Sequence, residues 1–93
     1  MTVTDRYELI PTNGRKSFYG KAIVQVYEDG SSTLFSYATP IITKKGDKLI
    51  PHYTGKKYGS TTASHVKAFC GINKDGYRKL LKANGMKFAG EEN

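Results

Sequence analysis

The sequence predicts an α+β fold: an antiparallel sheet of about four to five strands, with two C-terminal helices packed on one face. Three observations predict it. Between Phe18 and Tyr53, apolar residues alternate in short tyrosine-rich and β-branched runs, punctuated by Asp29-Gly30 and Lys45-Gly46-Asp47. At about Tyr58 the period changes, and Ala63, Val66, Phe69 and Cys70 recur at helical spacing. A second stripe, Tyr77, Leu80 and Leu81, follows an Asn73 placed to cap a helix.

Taken in order, Arg6 to Ile10 makes a short first strand ended by Pro11, and Thr12-Asn13-Gly14-Arg15 is a turn led by Asn-Gly. The run from Phe18 to Tyr27 is the second strand. Ala22, Val24 and Val26 point one way, and Tyr19, Lys21, Gln25 and Tyr27 the other. If Asp29 and Gly30 form a two-residue loop, Val26 pairs with Thr33, Val24 with Phe35 and Gln25 with Leu34. That register puts Phe18, Thr33, Phe35 and Tyr37 in the core, and a slip of one residue would exchange the faces. Thr39-Pro40 signals an edge or bend, because proline donates no ladder hydrogen bond. Ile41–Thr43 and Lys48–Ile50 then form a second hairpin around Lys44-Lys45-Gly46-Asp47.

The helices follow near residues 61–70 and 74–84. The first starts at Ser60 or Thr61, whose hydroxyls are available as caps, and stops at Gly71. The second starts after Asn73, with Ile72 and Tyr77 at staple positions, and Gly85 sits where a left-handed residue ends a helix.

Ninety-three residues suit one domain, 1–93, with residues 1–5 and 89–93 frayed. No apolar run reaches the roughly 20 residues of a membrane span, and the N-terminus lacks the apolar stretch of a signal peptide. No membrane partner is therefore expected. Cys70 is the lone cysteine, which excludes an internal disulfide and fits a reducing interior. Fifteen basic residues oppose eight acidic ones, a net charge of +7. The excess lies between Arg15 and Lys87, in the body of the chain, and twelve of the fifteen are lysines. A compact cation is drawn to polyanions, although lysine reads phosphate less specifically than arginine does.

No catalytic signature accompanies this surface. Cys70 and His65 lie about 140° apart on one helix, so they diverge, and His52 is the only other histidine. That set supplies no zinc site, no nucleophile–base pair and no cofactor site. The chain is thus expected to be no enzyme, with no catalytic or metal-binding residues. A small hydrolase using His65 is the remaining enzymatic reading. Three features could instead hold a partner, and each has a plainer explanation. Ser60, Thr61, Thr62 and Ser64 surround a helix start with Lys56 and Lys57 before it, so they either cap the helix or receive an anion. Lys74, Arg78 and Lys82 align at i, i+4, i+8 as a solvated face or a phosphate-tracking stripe. Seven tyrosines without a tryptophan, Tyr19 and Tyr27 among them, either pack across strands or stack bases.

Two segments carry a resemblance: Asn13 to Ala22 (N-x-R-K-S-F-Y-G-K-A) and Tyr58 to Phe69 (Y-x-S-x-T-x-x-H-x-x-x-F). They are similar to a family of small proteins of unknown function borne by phages and mobile elements, over most of residues 7–70 and short of the second helix. The resemblance implies a phage-type accessory protein in the cytoplasm of a host bacterium. Its expected role is to engage a host protein or nucleoprotein complex, such as a defence nuclease, or nucleic acid directly. The residues expected to bind are Arg15, Lys16, Tyr19, Lys21, Lys56, Lys57, His65, Lys74, Arg78 and Lys82, converging as one basic patch. The alternative is an assembly protein that homo-oligomerises through its tyrosine-rich sheet face.

Overall fold

The structure, a computed structural model, describes residues 2–10, 21–55 and 59–88. Five strands form one antiparallel sheet: β1 (Val3–Glu8), β2 (Ala22–Tyr27), β3 (Ser32–Ser36), β4 (Thr39–Lys45) and β5 (Lys48–Pro51). Two helices follow, α1 (Ser60–Cys70) and α2 (Lys74–Ala83). The strand order is β1-β2-β3-β4-β5, so every strand pairs with its sequence neighbours. Helix α1 packs on β3 and β4, and α2 on β5. The expected α+β architecture is present. The Asn13-Gly14 turn and the strand start at Phe18 lie outside the described residues.

β1 begins earlier than expected, at Val3, and pairs with β2 through a bulge between Val3 and Asp5. The larger correction concerns β3. Val24 pairs with Leu34, Gln25 with Thr33 and Ile23 with Phe35, one residue away from the predicted register. The cause is a three-residue loop. Gly30 N–H donates to the Tyr27 carbonyl at 2.9 Å, and Gly30 itself adopts φ +86°, the left-handed conformation of a bulged hairpin end. Asp29 fixes this loop by accepting from the Ser31 amide (2.9 Å) and hydroxyl (2.6 Å). Those bonds, more than the ion pair to Lys45 at 3.5 Å, hold the Asp29 carboxyl below its ordinary pKa.

The shift turns β3 over. Leu34, fully buried, faces the helices with Ala22, Val24 and Ile42. Phe35 and Thr33, predicted as core, point to the opposite side, where the Thr33 and Thr43 hydroxyls share a 2.7 Å hydrogen bond. Tyr37, also predicted as core, stands 54% exposed at the tip of the β3–β4 turn. The β2 reading holds, with Ala22 and Val24 buried and Gln25 and Tyr27 on the other face.

Tyr37 and Ala38 close the β3–β4 hairpin with φ of 51° and 67°. Both central residues are left-handed, as in a type I′ turn, although neither is Gly or Asn. Pro40 pairs with Phe35 beside a register shift, so a proline is accommodated in an interior strand at a bulge. The bulge turns the Ile41 carbonyl toward β5, where it accepts from His52 N–H at 2.8 Å.

Tyr77 fastens α2 to that bulge. Its buried hydroxyl donates toward the Tyr53 carbonyl at 2.7 Å, lies 3.1 Å from the Ile41 carbonyl and accepts from Tyr53 N–H at 3.2 Å. Desolvation, the largest cause, pushes the Tyr77 phenol up to about 12. Around it, Leu81, Val66, Phe69 and Phe88 complete the core. Asn73 caps α2 as predicted, its Oδ1 accepting from Gly76 N–H at 2.8 Å. At the other end Gly85 N–H reaches the Lys82 carbonyl and Met86 N–H the Leu81 carbonyl, a Schellman closure.

Candidate functional site

Two surfaces stand out once the helices are placed. The first is the sheet face they leave uncovered. Alternation sends Arg6, Ile23, Gln25, Tyr27, Phe35 and Ile50 to this side. Arg6, Ile23, Gln25 and Phe35, with Ala38, line a hollow of about 270 Å³. An arginine fork, an amide and an aromatic ring around one shallow hollow can stack and hydrogen-bond a flat polar ring. Lys45 and Lys48, opposite each other where β4 turns into β5, add positive charge at the margin.

The second surface is an open cleft of about 510 Å³ where the β3–β4 turn, Tyr53 and the start of α1 meet. Gly59 occupies the N-cap and makes no side-chain cap bond, so the predicted hydroxyl cap from Ser60 or Thr61 is replaced by a bare glycine. The first intrahelical bond runs from Ala63 N–H to the Gly59 carbonyl, which leaves the preceding helix amides without helical acceptors. Thr62 lines the cleft and is only 7% exposed. Lys21 Nζ sits 5.5 Å from the Tyr37 ring centroid, at the same turn.

His65 lies behind this cleft, 1% exposed, and shares a 2.8 Å hydrogen bond between Nδ1 and Ser36 Oγ. Its ring centroid is 6.1 Å from that of Tyr37. Burial first, and the charge of Lys21 second, hold its pKa below the ordinary imidazole value. A Ser–His pair can be a nucleophile and its base. Here both side chains are buried, and their bond ties β3 to α1. Cys70 is half-buried, with Sγ 3.4 Å from the Val66 carbonyl, and burial raises its thiol pKa, away from the reactive thiolate. No group of three His, Cys, Asp or Glu side chains among the described residues is arranged to hold a metal. No helix among the described residues is long and apolar enough to cross a membrane.

Of the residues singled out from sequence, Arg15, Lys16, Tyr19, Lys56 and Lys57 lie outside the described residues. The structure gathers Lys21 and His65 around Tyr37. It gathers Lys74 and Arg78 separately over the Phe88 ring, at 5.6 and 5.8 Å, with Arg78 also paired to Asp75 at 2.8 Å. Lys82 lines a hollow beyond the end of α2, together with Lys87. The described cations thus form local groupings with aromatic partners. Arg6 and Phe35 were missed by the sequence reading, Phe35 because the assumed two-residue loop assigned it to the core. The signal that could have found it is Gly30, which also fits the left-handed third position of a longer loop.

Residues 7–84 match the sequence profile of a family described as a family of unknown function (DUF8033). The chain belongs to this family. The match takes in both α1 and α2, whereas the likeness was expected to stop short of the second helix. No curated protein and no solved structure matches the chain.

Proposed function

We propose that this protein is a non-enzymatic accessory module, of the kind borne by phages and mobile elements, which binds a nucleic acid or a host nucleic-acid machine. One observation carries the reading: the helix-free face of the sheet presents Arg6, Gln25 and Phe35 around a single hollow. A nucleobase fits that chemistry, with its face on Phe35 and its polar edge toward Arg6 and Gln25. The net charge of +7 supports a polyanion over a second copy of the same cationic chain.

The test is binding of a labelled single-stranded oligonucleotide, followed by fluorescence anisotropy across a salt series. Affinity should fall steeply with ionic strength. Phe35→Ala should cost about 5- to 100-fold, the range of one lost stacking contact. Absence of binding at low salt, or an unchanged Phe35→Ala variant, would overturn the proposal.

A second reading is assembly through the sheet. Val3, Tyr7, Ile10 and Ile50 are exposed apolar side chains, three of them on or just past the edge strand β1. Light scattering on a sizing column separates the two. An oligomer that persists in high salt and dissociates on Ile50→Lys would favour assembly.

A further inference from the structure

We propose that two copies of this chain pair through the outer edge of β1, joining their sheets about a two-fold axis. The proposal rests on the assembly reading but moves the contact from the open face to the strand edge, and base binding does not enter it. The two edges of the sheet differ. β5 is four residues long, with Lys48 at one end, Pro51 at the other and α2 packed against it, and each of these blunts an edge. β1 is six residues long, carries neither lysine nor proline, and is exposed along its whole length. Among the described residues no strand lies beyond it. Tyr7, opposite Val24, stands 46% exposed on the side of the helices.

The ladder fixes which backbone groups face outward. Leu9 N–H bonds the Ala22 carbonyl at 2.9 Å, so alternation turns the amides and carbonyls of Arg6 and Glu8 away from β2. The Arg6 N–H donates instead to the neighbouring carboxylate, Asp5 Oδ1, at 2.8 Å. Side chains keep their face in a continuous sheet, so a two-fold axis normal to it must centre the pairing on one residue facing itself. In the regular part of β1, centring on Asp5, Arg6 or Glu8 opposes like charges. Centring on Tyr7 sets Arg6 against Glu8 of the second copy, twice, and brings the two Tyr7 rings together between them. Those rings then form a pair without mutual backbone bonds, where side chains approach closest. Charge also favours this place for contact. Each chain has a net charge of +7, yet β1 carries one arginine against Asp5 and Glu8.

Sedimentation velocity over a concentration series, without oligonucleotide, tests the proposal. The parent should form a dimer and nothing larger. Arg6→Glu and Glu8→Arg should each weaken it about tenfold, because each places like charges in contact twice. The double variant should recover to within about twofold of the parent, because the attraction is restored with its signs exchanged. Tyr7→Lys should abolish the dimer, and Asp5→Ala, which releases the Arg6 amide, should tighten it several-fold. A double variant no better than its single parents would overturn the proposal. So would a dimer that Ile50→Lys breaks and the β1 variants leave alone, which keeps assembly through the open face. A chain that stays monomeric to about 1 mM would overturn both the edge and the assembly reading. Phe35→Ala should leave the dimer intact, so base binding and edge pairing can fail independently.

Discussion

Replacing Tyr77 by Phe removes one oxygen and leaves the ring in place, so the effect isolates the bond between α2 and the β4 bulge. Without the hydroxyl, Ile41 still accepts from His52 N–H at 2.8 Å, and Tyr53 N–H keeps the Ile41 carbonyl at 3.3 Å. The Tyr53 carbonyl loses the donor that stood 2.7 Å away. One poorly satisfied acceptor at a mostly buried site costs about 2 kcal/mol. In a domain of this size that lowers the melting temperature by roughly 10 °C. The phenol adds a pH signature. Its pKa is raised in the native state from 10.0 to about 12, so this stability is fully present below pH 10 and is lost as pH rises toward 12. By pH 11 the loss is about 1.4 kcal/mol for the parent and absent in Tyr77→Phe. Urea denaturation at pH 7 and 11 should therefore show the gap between the two proteins closing from about 2 to about 0.6 kcal/mol. A gap that stays constant with pH, or one below about 0.5 kcal/mol at pH 7, would refute the assignment of this hydroxyl as a buried tether.

Three further tests probe the fold where it departs from or extends the sequence reading. Leu34→Ala should cost about 2–5 kcal/mol and Phe35→Ala clearly less, because Leu34 is in the core and Phe35 is on the open face; equal losses in urea denaturation would restore the predicted register. The pair Tyr37→Asn with Ala38→Gly supplies the residues a type I′ turn prefers and should stabilise by about 1 kcal/mol. Destabilisation in the same assay would mean that the contacts of Tyr37 with Lys21 and His65 outweigh the backbone strain. Asn73→Ala should cost about 1 kcal/mol and fray the first turn of α2, read as faster amide exchange at Gly76.

The elements were legible in the sequence because local rules decide them. Val24 alternates, Asn73 caps and Gly85 terminates, whatever the rest of the chain does. Register was not legible, because it depends on the length of one loop. Asp29-Gly30 is compatible with loops of two or three residues, and the strand itself favoured the wrong choice. Thr33, Phe35 and Tyr37 form a more apolar set than Ser32, Leu34 and Ser36. Tertiary contacts decide otherwise: Leu34 completes the core against Val24 and Ile42, and Ser36 reaches His65 at 2.8 Å. The Tyr37-Ala38 turn was likewise hidden, since neither residue advertises a positive φ. For the site, residue type was informative and grouping was not. Lys21 and His65 were named from sequence, but nothing local revealed that Tyr37 would join them.

Because each strand of the sheet lies beside the one that precedes it in the chain, no long loop must close before β pairing begins. Pairing between sequence neighbours keeps contact order low for a sheet, and among domains of mixed α and β structure lower contact order goes with faster folding. The newly made chain can therefore zip its ladder hairpin by hairpin as it emerges, and the helices need only dock at the end. Exposure of unpaired edges is correspondingly brief.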